Sequence, residues 1–462
     1  LPIKMDIKMS MVVNQKRRRR SKVSIPQEEK RMVAIILNAD QNGIFNNGLH
    51  QNGYFLYRLL QKIPNIQPFL TCPDNLLPED NRVIENLQQC FGINVIPMSF
   101  FKEKYRCDVM IMGSFAIDPK TAAPYKARGT KFVAPVWGHK YVMNHETAVF
   151  GRFSPEKGEE NGNFRNFSDN SILRRNEGVI DAIWLSPHFT WTKQFIAASY
   201  DHPLDKTFTA PYIWDSELVE KSIKDEPLYA QDDKSPFFRP GDPENKKIYS
   251  LEPNINIVKS SLVPFYIGEH LYKENSDHFE HLYLFGANIL AKNKHFVQLV
   301  NHSAFFEDGK TNKISFESRT KIPFVFSRSK VQLAHHWNLG LNYTYLEGAY
   351  FHHPVVHNSE FMKDMGYYYR GASVIDASSQ LSMALRHEER SDLDEYNAHC
   401  DEVVHRFSIN NEKNIKGYAT LIENLFTGEP PVLPDYIDEL ESSLAYGGGY
   451  FSPSHLPSSY LL

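Results

Sequence analysis

Short unbroken apolar runs alternate with amphipathic stretches along most of this chain. Residues 32–38 (MVAIILN) form an apolar run between polar neighbours, which predicts a strand buried on both faces. A loop with two glycines follows at 40–48 (DQNGIFNNG), and a helical pattern runs from about 51 to 61. Strand-like runs recur at 67–71, 93–97, 108–112, 131–136 and 181–185, with helical patterns between most of them, as at 79–89, 119–127 and 190–199. Strands alternating with helices predict a doubly wound parallel sheet. A polar, Asn- and Gly-rich stretch at 152–177 breaks the rhythm and reads as a surface excursion. Residues 207–215 (TFTAPYIWD) read as the last strand of this unit.

The rhythm then restarts. Residues 247–251 read as a strand, 252–256 as a polar loop and 257–271 as a helix, with further strands at 281–285, 313–316, 331–335 and 354–357. The pattern therefore predicts an α/β protein of two tandem Rossmann-like domains with a cleft between them, where ligands sit beyond the carboxyl ends of the strands. Residues 1–31 read as a disordered basic arm around Lys16, Arg17, Arg18, Arg19 and Arg20, and 32–215 as the first domain. Residues 216–246, rich in proline, read as a linker, and 247–429 as the second domain, with a charged helical section at 378–426. The Pro-, Gly- and Ser-rich residues 430–462 read as a flexible tail.

Composition narrows the function classes. A chain of 462 residues is too long for one ordinary core. Its 51 basic and 55 acidic residues give a net charge of -4, so no global field points to nucleic acid or a membrane surface. Cys72, Cys90, Cys107 and Cys400 lack metal-ligand spacing and read as free thiols of a reducing compartment. No apolar run reaches the roughly 18 residues of a membrane span. The expectation is a cytoplasmic protein, in the host cytoplasm if viral, with the basic arm leaving room for a nuclear address.

The densest candidate chemistry lies in residues 331–369 (VQLAHHWNLGLNYTYLEGAYFHHPVVHNSEFMKDMGYYY). A strand feeds a polar glycine-bearing loop, then a helix carrying Glu347. Helix starts favour anions, and an inward carboxylate can accept ribose hydroxyls. On the first domain, Asp40, Gly43, Gly48 and His50 follow the first strand, where glycines let a ligand approach the backbone. His139 follows the strand at 131–136 and has a resting pKa suited to proton transfer; Asp40 and His50 are rival bases.

Three passages resemble glycosyltransferases of the two-Rossmann kind, the GT-B architecture. They also resemble a glycosyltransferase-like family of formerly unknown function, found in large DNA viruses and some bacteria. The passages are 210–215 (APYIWD), 251–259 (LEPNINIVK), and the third stretch through 342–347, 354–359 and 363–369. The resemblance spans about residues 32–426. It implies transfer of a sugar from a nucleotide-sugar donor to an acceptor hydroxyl on a glycan, protein or small molecule, with no cofactor and no obligatory metal. The second domain would hold the donor through Asn254, Lys259, Asn342, Tyr343, Thr344 and Glu347, with Lys259 just inside a helix and the amides of Tyr343 and Thr344 facing the diphosphate. The first domain would supply the acceptor side through Gly43, Gly48 and His50, and the base through His139 or Asp40. Many retaining members carry a second glutamate eight positions earlier; here that position is Leu339, which leaves the stereochemistry open. The alternatives are another sugar-nucleotide enzyme, such as an epimerase, or a scaffold binding a sugar nucleotide or polyanion.

Other residues attract plainer readings. Adjacent histidines in a strand point to opposite faces, so His335-His336 and His352-His353 read as buried polar contacts. Asp392-Leu393-Asp394 reads as a solvated helix, and Tyr367-Tyr368-Tyr369 as packing under the cleft.

Overall fold

The computed structural model describes residues 30–445 apart from 39, 41–42, 75–80, 104, 114–116, 151–177, 231–233 and 308–311. Residues 1–29 of the basic arm expected over 1–31, the excursion at 152–177 and the end of the tail therefore lie outside the described residues, and Arg31 already opens the first strand.

The first sheet contains β1 (Arg31–Ile36), β2 (Ile66–Cys72), β3 (Ile96–Pro97), β4 (Val109–Ile111), β5 (Lys131–Val136), β6 (Ala182–Leu185) and β7 (Thr207–Thr209). Their spatial order is β3-β2-β1-β4-β5-β6-β7, and every pairing is parallel. The second sheet contains β8 (Lys247–Leu251), β9 (His281–Phe285), β10 (Ile314–Glu317), β11 (Val331–Leu333), β12 (Val355–His357) and β13 (Tyr367–Tyr368). Its order is β10-β9-β8-β11-β12-β13, again parallel throughout. Helices intervene between most strands, as at Gly48–Leu60 and Leu262–Glu274. The expected α/β fold of two tandem, parallel-sheet Rossmann-like domains is what the chain adopts. Among the described residues no helix is long and apolar enough to cross a membrane.

Each sheet winds outward from its first strand, returns and winds the other way. The reversal falls between β1 and β4 in one domain and between β8 and β11 in the other. Loops leaving adjacent strands on opposite sides of such a reversal splay apart and open a crevice. Central strands are shielded on both faces: Val33, Ala34, Ile35 and Ile36 are fully buried, as are Ile248, Val331 and Leu333. One apolar core runs from the first domain into the second, with Phe55, Tyr212 and Tyr343 among its members.

Four local expectations are corrected. The helix expected from 257 begins at Leu262, so Lys259 lies in the turn before it. Side chains outcompete the helix there. Asn254, with φ of 55°, donates to the Glu252 carbonyl at 2.7 Å and to Ser261 Oγ at 2.8 Å, and accepts from the Ser261 amide at 2.7 Å. The linker is partly structured, with a helix at Glu217–Lys224. The sequence pattern did not mark the helix at Lys140–Phe150.

The tail expected from 430 forms a helix at Asp435–Ala445 that returns to the first domain. The Tyr212 amide donates to the Tyr436 hydroxyl at 3.1 Å, the Thr209 hydroxyl donates to Glu441 at 2.6 Å, and Ile437 is fully buried. Pro430, Pro431 and Pro434 look like loop chemistry by composition, yet the helix starts directly after Pro434, where a proline costs it nothing.

Candidate active site between the two sheets

In the second domain β8 and β11 are neighbours, with Val331 beside Ile248 and Gln332 beside Tyr249. The residues that follow them therefore meet. Glu252 is the first residue past β8, and His336 stands three past β11. Their side chains, each 1% exposed, approach to 3.1 Å between His336 Nε2 and Glu252 Oε2. Asn342 Nδ2 is 3.2 Å from the same nitrogen, and Asn358 clamps the His336 backbone through its amide and carbonyl at 3.1 and 3.0 Å.

Lys259 pairs with His336 through an antiparallel backbone bridge, which hangs the lysine turn on the β11 loop. Loss of hydration lowers the Lys259 ammonium to about 8, with Glu252 and Glu347 holding it up and Arg319 working against it. Among the described residues no carboxylate lies within ion-pair distance of this ammonium. Glu347, on the helix Tyr343–Tyr350 capped by Asn342, is buried, and desolvation raises its carboxyl to about 7, partly opposed by Lys259. Its carboxylate has no hydrogen bond among the described residues. The second domain thus presents an ammonium and a carboxylate that sense each other's charge and lack direct partners among the described residues.

The first domain offers different chemistry. Val136 of β5 pairs with Leu185 of β6, so His139 and His188, each three residues further on, emerge side by side. Burial drives the His139 imidazole down to about 4 and His188 well below its ordinary value, where His139, Lys259 and His336 add to the depression. His188 therefore senses charges from both domains. The His139 ring lies 6.0 Å from Trp191 and 5.1 Å from Phe189, and runs nearly parallel to Trp337 of the second domain, 9° between planes and 6.2 Å between centroids.

The other expected residues take these places. Asp40 and His50 pair at 3.5 Å, and Asn47 Nδ2 donates to Asp40 at 2.5 Å. Asp40 lies in the loop after β1 and His50 in the first turn of the helix that follows, whereas His139 follows β5. Arg319, from the end of β10, reaches across to the Asn46 carbonyl at 2.5 Å and feels the Asp40 charge. Gly48 opens the helix Gly48–Leu60, where an added Cβ would sit 3.9 Å from the Tyr343 ring. Gly43 has φ of 76°, and a Cβ there would strike Asn86, so its glycine serves the turn.

Asn254 commits its side-chain amide to the lysine turn, as described above. Asn342 caps its helix and accepts from the Thr344 amide at 3.4 Å, which leaves that amide engaged. Tyr343 packs its ring between the domains, 5.3 Å from both Phe55 and Tyr212. Asn254, Asn342 and Tyr343 are thus committed to local hydrogen bonds and to packing between the domains.

His335 bonds the Tyr369 hydroxyl at 2.9 Å, and His353 bonds the Tyr249 hydroxyl at 3.0 Å and the Pro236 carbonyl at 2.8 Å. Tyr369 in turn donates to the Ala334 carbonyl. Asp392 flanks a helix start and pairs with Arg390 at 2.6 Å. All of these are packing or surface contacts. Sequence reasoning missed Glu252, His188, Arg319 and Trp337, and gave His336 no role at the site. The available signal was positional: each follows the carboxyl end of a strand, or the residue closing it, within a few positions.

Residues 32–422 match the model of a family described as "Protein of unknown function (DUF2827)", and the chain belongs to that family. No curated protein sequence matches it. Among solved structures it is similar to the N-terminal domain of Candida albicans trehalose-6-phosphate phosphatase, at 11% identity and a TM-score of 0.48, covering 89% of this chain and 100% of that one. It is also similar to a UDP-N-acetylglucosamine 2-epimerase, at 12% identity and 0.44, covering 88% and 99%. TarM matches at 13% identity and 0.42, covering 71% of this chain and 57% of TarM. These likenesses concern the outline of the fold; the side chains make the case for a function.

Proposed function

We propose that this DUF2827 protein is a glycosyltransferase that moves a sugar from a nucleotide-sugar donor to an acceptor hydroxyl. One observation carries the reading. An ammonium and a carboxylate from the second domain, Lys259 and Glu347, without ion-pair or hydrogen-bond partners among the described residues, stand with neutral buried histidines of the first domain, and the charge of Lys259 helps to lower His188.

Each group matches one demand of the reaction. A departing nucleoside diphosphate concentrates negative charge, and Lys259 offers a partly dehydrated cation, so its attraction is less diluted by solvent. Arg319 adds a second positive group at the domain junction. Glu347 accepts the ribose hydroxyls. His139 takes the acceptor proton as the acceptor oxygen bonds to the anomeric carbon and the sugar–phosphate bond breaks, with its electron pair leaving on the diphosphate. At neutral pH the imidazole is already unprotonated, as a base must be. A bound diphosphate raises its proton affinity by bringing negative charge close. Glu252 fixes His336 and, through the backbone bridge, the lysine turn. The domains' closure around the donor keeps water from it.

A thermal-shift panel of UDP, GDP, ADP and TDP sugars tests this. One member should stabilise the chain by about 2.7 kcal/mol at a hundred times its dissociation constant, and Glu347→Ala should remove that shift. Incubation with the stabilising donor should then yield a glycoside. Turnover of the donor without any glycoside would favour an epimerase-like enzyme. Silence across the panel together with salt-sensitive polyanion binding that ignores Glu347→Ala would favour a scaffold.

A further inference from the structure

The surroundings of His139 hold more than a base requires. Neither of its ring nitrogens has a hydrogen-bond partner among the described residues; the Asn338 backbone biases the ring without reaching hydrogen-bond geometry. Trp191 Nε1 and His188 Nδ1 are likewise buried and unpartnered. Buried polar atoms left unpaired cost free energy, and a native structure that keeps several together calls for a ligand or solvent to satisfy them. Here they are embedded in aromatic faces. Trp337, 39% exposed, and Trp191 flank His139 from the two domains, and Tyr141 continues the row 5.0 Å beyond Trp191, followed by Phe195 at 4.9 Å from Tyr141.

Aromatic faces beside directional donors and acceptors are what a sugar ring needs. The axial C–H face of a pyranose is apolar and lies on an aromatic ring, while its rim of hydroxyls both donates and accepts. A peptide serine or threonine presents one hydroxyl and no such face. We infer that the acceptor is a saccharide, whose terminal pyranose sits against Trp191 and Trp337 with one hydroxyl on His139, and whose chain continues along Tyr141 and Phe195. This rests on the transferase reading above and adds the acceptor class to it. Trp337 ties acceptor to donor as well: its amide donates to the Val258 carbonyl at 2.9 Å, next to Lys259.

The test measures saccharide binding directly. Saturation-transfer NMR with methyl pyranosides and short oligosaccharides is run on the full chain, alone and with UDP, GDP, ADP or TDP. The wild type should give a signal with at least one saccharide. Trp337→Ala should cut its affinity about ten-fold, and Trp337→Phe should retain most of it. The donor-induced thermal shift should stay unchanged in both variants. Because Trp337 is partly exposed, its replacement should leave the folded core intact, which unfolding curves of both variants check. Absence of any saccharide signal under all conditions, or binding indifferent to Trp337 and Trp191, overturns the proposal even if a nucleotide sugar still binds. Conversely, tryptophan-dependent saccharide binding without any sugar-nucleotide binding keeps the subsite and removes the transferase reading.

Discussion

The two domains share one winding pattern and differ in what they place at its open edge. Both sheets reverse beside their first strand, β1 against β4 and β8 against β11. Beyond the carboxyl ends of β5 and β6 in the first domain stand two buried histidines held neutral, His139 and His188. In the second domain stand an ammonium and a carboxylate pulled toward neutrality, Lys259 at about 8 and Glu347 at about 7. The difference teaches that the parallel sheet supplies only the position. The few residues following each strand decide whether that position takes a proton or a charged ligand.

This contrast can be broken one side at a time. The largest effect is expected at His139. His139→Ala should lower kcat about a thousand-fold, within the range for loss of a general base, and leave donor affinity within two-fold or so by calorimetry. A comparable loss of donor affinity would erase the division of labour. Next, Lys259→Met should weaken donor binding about a hundred-fold, on the order of the 3 kcal/mol that a charge-assisted contact supplies. It should not lower Tm, because it removes a poorly hydrated charge.

Glu347→Gln should weaken the donor about ten-fold and reshape the pH profile. In the wild type kcat/KM should rise as Glu347 ionises near pH 7 and fall as Lys259 loses its proton near pH 8. The glutamine variant should lose the acid limb and keep the alkaline one. The smallest effect should come from Glu441→Ala, which removes the contacts to Thr209 and Lys193. About 1 kcal/mol of stability should be lost, read as a slightly lower midpoint in urea, with donor affinity unchanged. A loss of donor binding there would mean that the terminal helix couples the domains more tightly than its contacts imply.

Much of the frame was legible because buried parallel strands are apolar on both faces and announce themselves locally. The runs at 131–136, 247–251 and 281–285 coincide with β5, β8 and β9 to the residue. His139 was read as a candidate because it stands three residues past such a run, and Glu347 because it lies on the helix that follows the polar loop after β11. The helix Lys140–Phe150 was not legible, since KYVMNHETAVF lacks a clean apolar stripe. The lysine turn was misread as helix because Asn254 and Ser261 hold it through side-chain bonds to the backbone that no periodicity records.

The order of strands and helices, the apolar interior and the polar residues beyond each strand followed from local sequence, because burial and hydrogen bonding impose periods visible over a few residues. Which of those polar residues would share a site did not. Glu252 meets His336, 84 positions later, because β8 and β11 lie side by side. Trp337 meets His139 because loops leaving the two separate sheets come together between the domains. The same packing strips water from Lys259 and Glu347 and sets their proton affinities. Desolvation depends on everything folded around a group, and a linear chain holds that information only once it has folded.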